Sequence, residues 1–272
     1  MSTENTISAS VSKNSLSDCF KAFDHTTTET KEPLIKEPYC WGILGPAGCG
    51  KSTLLCSTFY ENGYFNKFYD KIFMFSKTAK NQGKIYDLYK ELDDEKQYYE
   101  HLTNENLESV KNNILKVIDF HINQDEDGEQ YDEKYDFTDA QLKKRETLRQ
   151  ELNFCIILDD MLCDMNKKNS SIFDDLITNR RHLRLSIIFC VQKWKKKVST
   201  TIRSNLSFLS VFKLDRVDDE NSLFEEYGTR NNILEECYNF ATTPTEKYSH
   251  PFLHIRMKPR TYYRIFDEIV IK

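Results

Sequence analysis

The sequence lacks any apolar run long enough to span a bilayer, and its first residues lack the apolar core of a signal peptide. A soluble intracellular protein is the resulting expectation. Its eight cysteines include no C-x-x-C pair. Cys40, Cys155 and Cys190 sit in apolar, strand-like runs, so reduced thiols fit better than disulfides or zinc ligands. There is no surplus of positive charge either, since 38 Lys and Arg against 43 Asp and Glu leave a net charge of -5. That balance argues against a generally adhesive nucleic-acid binder, and any such contact must come from a local basic patch. His250 and His254 are four residues apart, but Pro251 between them breaks a shared helical face, so they read as non-ligand histidines near a strand. No internal repeat occurs, and the lack of an L-S-G-G-Q-like segment disfavours an ABC-type ATPase.

What is present begins with size. A chain of 272 residues with 18 Phe and 15 Tyr can build one large core, as one domain or one domain with appendages. The most informative segment is Gly45-Pro46-Ala47-Gly48-Cys49-Gly50-Lys51-Ser52, which fits the P-loop pattern G-x-x-x-x-G-K-[ST] at every fixed position. Residues 39–44 before it read as a buried strand, and the residues from Thr53 to Phe59 after it read as a helix. The glycines let successive N–H groups point inward at phosphate oxygens, with the helix N-terminus behind them. Lys51 can reach the β- and γ-phosphates, and the Ser52 hydroxyl can ligate Mg²⁺. Gly45 to Thr53 are therefore the nucleotide-binding residues expected of this chain, with ATP and Mg²⁺ as the ligands.

Residues 1–30 contain twelve Ser or Thr and few large apolar groups, so residues 1–35 read as a disordered or weakly ordered arm, with a short amphipathic helix conceivable at Leu16 to Phe23. From about residue 36 to 272, strands and helices alternate, the signature of an α/β domain with a parallel sheet. Strands are expected near 39–44, 71–76, 153–159, 185–191 and 207–213. An insertion near 80–150 carries helical segments at 82–93 and 104–119. It then has a stretch where seven of the fifteen residues from Ile122 to Asp136 are Asp or Glu, which reads as a solvated loop without EF-hand spacing. Thr138 and Gln141 form a capping box for a helix ending near Leu152. At the C-terminus, Phe252-Leu253-His254-Ile255 and Tyr262-Tyr263-Arg264-Ile265-Phe266 read as paired edge strands.

The run Phe154-Cys155-Ile156-Ile157-Leu158-Asp159-Asp160 is an apolar strand ending in two carboxylates, the form of a Walker B strand. Consecutive residues at a strand end point in different directions, so Asp159 can serve the metal while Asp160 polarises the attacking water. The next apolar run, Leu185 to Val191, ends in Gln192, whose amide can bond the γ-phosphate and the lytic water. The segment Lys193-Trp194-Lys195-Lys196-Lys197 directly after it is the densest basic cluster in the chain. Its Lys193, Lys195, Lys196 and Lys197 are candidate DNA contacts, or else a solvated start to the next helix.

These residues carry a resemblance. The chain resembles the FtsK–HerA superfamily of P-loop ATPases, specifically the poxvirus A32-like genome-packaging ATPases of large double-stranded DNA viruses, virophages and related elements. Four blocks match in order: Gly45–Ser52, Ile156–Asp160, Thr178-Asn179-Arg180-Arg181-His182 leading to Gln192, and Thr201-Ile202-Arg203-Ser204-Asn205. Coverage runs from about Tyr39 to about Arg216. The resemblance implies a RecA-like core with strand order 5-1-4-3-2 and a ring, usually of six subunits, that pumps double-stranded DNA into a capsid, docked on capsid or portal-vertex proteins. It implies a place in the host cytoplasm or viral factory, or on the virion. It also maps an arginine finger onto Arg181, with Arg180 the weaker candidate. The wider superfamily often has Glu where Asp160 stands here, and Asp is one methylene shorter. Two other readings stay open at this level, a small-molecule or nucleoside kinase and a non-hydrolysing nucleotide-dependent scaffold.

Overall fold

Five continuous apolar runs form the parallel centre of a ten-stranded sheet in the computed structural model. The structure describes residues 7–9, 34, 38–59, 63–81, 88, 90, 92, 95–123, 139–162, 170–194, 198–228 and 232–271. In chain order the strands are β1 (Ile7–Ala9), β2 (Cys40–Leu44), β3 (Lys71–Ser76), β4 (Tyr98–Tyr99), β5 (Phe154–Asp159), β6 (Leu185–Val191), β7 (Phe208–Phe212), β8 (Phe252–Met257), β9 (Arg260–Arg264) and β10 (Asp267–Ile271). The helices are α1 (Lys51–Phe59), α2 (Asn104–Ile122), α3 (Asp139–Glu151), α4 (Ser170–Asn179), α5 (Thr200–Ser204), α6 (Val217–Tyr227) and α7 (Ile233–Thr242). The sheet order is β1-β10-β9-β8-β7-β2-β6-β5-β3-β4.

The central strands are apolar throughout because both faces of the sheet are covered. In β5, Phe154, Ile156 and Leu158 enter one core while Cys155 and Ile157 enter the other, the two-residue period of a strand. The first core is closed by helices, among them α2, whose buried Leu107, Val110, Ile114 and Ile118 recur at helical spacing. Thr103 caps α2 by accepting from the Asn106 N–H. The second core is closed by α1 through Leu54, Leu55 and Cys56, and by the aromatic cluster of Phe65 and Tyr69. The cysteines at 40, 49, 56, 155, 190 and 237 are free thiols, and burial pushes the Cys40 thiol up to about 12, so it stays neutral.

The expected order 5-1-4-3-2 is present in the interior as β7-β2-β6-β5-β3. The whole sheet differs in detail: β4 adds a parallel strand beyond β3, and β8, β9, β10 and β1 continue past β7 as antiparallel strands. The C-terminal segment is thus no separate pair of edge strands. β8 pairs along all of β7, from Phe208↔Arg256 to Phe212↔Phe252, because the buried β7 would otherwise leave a row of unpaired backbone groups. The second C-terminal strand ends at Arg264, and Ile265 and Phe266 turn the chain into β10. In the arm, Ile7–Ala9 pairs with β10. The conceivable helix at Leu16 to Phe23, the acidic loop from 124 on, Thr138 and most of segment 82–93 lie outside the described residues.

His254 on β8 is fully buried, and Ser210 on β7 meets its Nδ1 at 2.8 Å while accepting from Trp41 Nε1 at 3.0 Å. Its ring stacks on Phe208, and burial lowers its pKa from 6.5 to about 3. The unfolded chain takes up a proton near pH 6.5 that the folded chain refuses until about 3. Stability from this group is therefore complete above pH 6.5 and is lost as pH falls toward 3. We expect the urea midpoint to drop between pH 7 and 4, with a shallower drop in His254→Gln whatever that variant's absolute stability. Parallel pH slopes in the two proteins would contradict this account.

Candidate active site

Parallel register brings three strand ends to one edge of the sheet. Leu44 lies opposite Val191, and Asp159 lies opposite Cys190. The ladder continues one residue further on both sides of β6: Gly45 N donates to Val191 O at 3.1 Å and Asp160 N to Cys190 O at 3.2 Å. The P-loop, the two carboxylates and Gln192 therefore emerge together, at the carboxyl ends of strands where α/β sheets bind ligands.

The P-loop turns through two glycines in the left-handed region, Gly48 at φ 76° and Gly50 at φ 112°, conformations costly for residues with a Cβ. Lys51 opens α1 and is buried, with Nζ donating to the carbonyls of Gly45 and Pro46 at 2.8 Å each. A cavity of about 550 Å³ lies above it, lined by Ala47, Gly48, Gly50, Lys51, Ser52 and Thr53 on one side. Gly45, Pro46 and Cys49, also expected to bind nucleotide, form the back of the loop: the first two hold Lys51, and Cys49 N donates to Pro46 O at 3.5 Å.

Asp159, Asp160 and Gln192 line the same cavity. Asp159 is buried, and burial with the neighbouring Asp160 charge raises its pKa from 3.8 to about 6, against the opposing pull of the Ser76 hydroxyl and Lys51. Ser76 Oγ donates to Asp159 Oδ2 at 3.1 Å and accepts from the N–H groups of Thr78 and Ala79. Asp160 is more open and sits at φ 54°, a left-handed conformation that Asp tolerates better than most residues. Gln192 Nε2 donates to Asp160 Oδ2 at 2.8 Å. The two adjacent carboxylates thus occupy different environments.

Three side chains of this cavity escaped the sequence reading: Lys77 and Thr78, just beyond β3, and Met161. The available signal was the run from Lys71 to Ser76, an apolar strand ending in Ser76-Lys77-Thr78 beside the Walker B strand.

Arg181 is not brought to this cavity. It is exposed in the turn before β6, at the amino end of a strand whose carboxyl end leads to Gln192. Seven residues of strand span about 23 Å, beyond the reach of an arginine to its own P-loop. Arg180 is buried, donating to Ile177 O at 2.9 Å and Asn205 Oδ1 at 3.1 Å, so it braces the turn. Arg203 pairs with Glu226 at 2.7 Å. Of the basic cluster, Lys193 is exposed, while Lys195, Lys196 and Lys197 lie outside the described residues. Trp194 is fully buried and donates to Glu226 Oε2 at 2.9 Å.

The sequence matches the family described as Poxvirus A32 protein over residues 27–249. The chain belongs to this family of genome-packaging ATPases. No curated protein matches it. Among solved structures it is similar to the DNA-packaging ATPase B204 of Sulfolobus turreted icosahedral virus, at 15% identity over 84% of this chain and 97% of that one, with a TM-score of 0.48. B204 of Sulfolobus turreted icosahedral virus 2 in complex with ATP-gammaS gives 13% identity over 85% and 97%, with a TM-score of 0.48. The cytoplasmic domain of the Thermomonospora curvata type VII secretion ATPase EccC gives 12% identity over 84% of this chain and 25% of that one, with a TM-score of 0.50. No described helix is long and apolar enough to cross a membrane.

The residues fit a magnesium ion. Asp159 is a buried carboxylate whose ionisation is penalised, a penalty that a cation relieves, and Ser52 lines the same cavity. Among the described residues no group of three His, Cys, Asp or Glu side chains is placed to hold a metal ion.

The raised Asp159 pKa has a sign that can be tested. Ionised Asp159 costs stability at neutral pH, and protonation between about 6 and 3.8 relieves that cost, opposite in direction to His254. In the nucleotide-free protein we expect the Asp159 carboxyl to titrate near 6 by carbon-13 NMR, and lower once Asp160→Asn removes the adjacent charge. An unchanged midpoint in that variant would assign the shift to burial alone.

Proposed function

We propose that this chain is an ATP-driven translocase that packages a double-stranded DNA genome into a viral capsid, working as a homo-oligomeric ring, most simply of six subunits. The observation that carries the reading is the meeting of P-loop, Asp159, Asp160 and Gln192 in one cavity, with the finger candidate Arg181 exposed at the opposite edge of the sheet. An arginine there is out of reach of its own P-loop, and in the proposed ring it would act on a neighbour's nucleotide. The protein would work in the host cytoplasm or viral factory, or on the virion, and dock on capsid or portal-vertex proteins. B204 is named a DNA-packaging ATPase and is seen with ATP-gammaS, consistent with this assignment.

In the mechanism, a triphosphate replaces the Gly45 and Pro46 carbonyls as acceptor for Lys51, and backbone N–H groups of the cavity-lining Ala47, Gly48, Gly50, Lys51, Ser52 and Thr53 would meet its oxygens. Ser52 and Asp159 would hold Mg²⁺, which when bound neutralises charge on the phosphates. Asp160 accepts the proton of the water that attacks the γ-phosphorus as the bond to ADP breaks, and Gln192 holds that carboxylate by its 2.8 Å bond. Its amide oxygen remains to orient the water. Lys193 and its neighbouring lysines would meet DNA phosphates.

A nucleoside kinase would yield a phosphorylated small molecule, and a scaffold would bind without turnover. ATP hydrolysis assayed with and without duplex DNA separates them, stimulation by DNA being the expected result. Asp160→Asn should keep ATP affinity and lose about 10²- to 10⁴-fold in turnover. Gln192→Ala should lose about tenfold, one hydrogen bond's worth. Asp159→Asn should weaken Mg²⁺-dependent binding instead. Equal binding and turnover in the two Asp variants would remove the division of labour.

Arg181→Ala and Arg181→Lys should both bind ATP and hydrolyse it about 10³- to 10⁵-fold more slowly, since Lys lacks the planar fork. Mixing Arg181→Ala with Lys51→Ala subunits should restore activity, because a mixed interface pairs an intact P-loop with an intact finger. Absence of rescue in proven hybrid oligomers, or full activity in a strict monomer, would refute the trans mechanism.

A further inference from the structure

A second cavity, of about 440 Å³, opens at the amino edge of the sheet, away from the phosphate site. Arg149, Arg181, His182 and Arg184 line it, with Glu146 the one carboxylate among its described lining residues. Arg149 comes from the last turn of α3, the final helix of the insertion. None of the described residues of α3 is buried, and its Leu142 is exposed. A helix without a buried apolar stripe depends on polar contacts for its place. One such contact runs from Arg149 Nη2 to the carbonyl of His182. Arg184 holds the same turn from the other side. Its N–H donates to Arg181 O at 3.2 Å, and its guanidinium donates to Leu152 O and Asn153 Oδ1 at 3.0 Å each. The carbonyls of Arg181 and His182 are thus both held, while the Arg181 side chain stays exposed. Among the described residues no carboxylate pairs with Arg149 or Arg181.

We propose that Arg149 is a positioning residue for Arg181, and that the end of α3 belongs to the face on which a second copy of this chain seats its nucleotide. The inference rests on the trans reading of Arg181 and deepens it, by giving the insertion a part in turnover. Arg149 need not touch the neighbour's phosphates to matter. A hydrogen bond from a guanidinium is among the stronger ones, and this one restrains the peptide next to Arg181. An exposed arginine has many rotamers, so a fixed backbone is what narrows the space its guanidinium samples. Misplacing a reacting group by about 1 Å can cost on the order of 10²-fold in rate. Three guanidinium groups around one open cavity also suit the polyphosphate end of a nucleotide as the incoming group. The helix lies outside the four matching sequence blocks, so their pattern gave no hint of it.

The test measures ATP affinity and turnover of the full chain for Arg149 variants and for mixtures of variant subunits. Arg149→Ala should bind ATP as wild type does and turn it over about 10- to 100-fold more slowly. Arg149→Lys keeps a charged donor for the His182 carbonyl and should recover most of that loss. Arg181→Lys should stay slow, because its planar fork is what meets the phosphate. Mixing Arg149→Ala with Lys51→Ala subunits should raise activity above either alone. Mixing Arg149→Ala with Arg181→Ala should not, because every subunit then presents a damaged face. Wild-type turnover in Arg149→Ala beside a slow Arg181→Ala would overturn this proposal and leave the finger reading standing, whereas a fully active Arg181→Ala would overturn both. An Arg149→Lys protein as slow as Arg149→Ala would also overturn it, as would rescue between Arg149→Ala and Arg181→Ala subunits in proven hybrid oligomers. Should Arg149→Ala fail to assemble, the contrast between the two Lys variants decides, and equal turnover in them would count against the proposal.

Discussion

The parallel registers of β2, β5 and β6 are the constraint on which the active site depends. With Leu44 beside Val191 and Asp159 beside Cys190, the P-loop, the paired carboxylates and Gln192 leave the sheet side by side. A slip of one residue in a strand would turn its entire inward set outward, so the two cores lock the catalytic edge in place. Apolar burial on both faces of the sheet thereby sets the position of polar groups at its end.

The same burial creates the tension at the site. Asp159 is the last residue of β5, and its carboxylate is held where water solvates it poorly and Asp160 repels it. Ser76, from the end of the adjacent β3, offers the compensating hydroxyl. A group poised in this way gains from a cation far more than an exposed aspartate would. Asp160 escapes the burial by turning into the left-handed region one residue later, where Gln192 reaches it.

From Gln192 the chain runs directly into a second set of contacts. Trp194, two residues on, is buried against Tyr227 with ring centres 5.9 Å apart and donates to Glu226, which also accepts from Arg203. One glutamate thus ties the segment after the γ-phosphate candidate to both α5 and α6. Gln192 has a buried neighbour two residues on, and Lys193 between them is exposed. The braced turn at Arg180 serves the opposite edge in the same manner, with Arg181 exposed beside it.

The local sequence was sufficient for the P-loop, because its glycines, lysine and serine act through backbone turns and a helix start that need only nearby residues. The five core strands were legible for a similar reason, since burial on both faces leaves continuous apolar runs. Gln192 was legible from its place at the end of the strand after Walker B, whereas Lys77 and Thr78 were missed although the strand before them was legible, because Ser-Lys-Thr at a strand end carries no pattern that marks a site. The pairing of β8 with β9 was legible, but its joining to β7 and the continuation through β10 and β1 were hidden, as short strands with mixed burial do not reveal their partners. Sequence by itself determined the P-loop turn with the helix that opens at Lys51, and an α/β core. Tertiary structure decided that Asp159 is buried, that Arg181 faces away from its own nucleotide site, and that Phe212 and His250, 38 positions apart in the chain, flank one glycine of the P-loop. Those outcomes depend on which strand lies beside which, and long-range pairing is settled by the packing of the whole core rather than by any local run of residues.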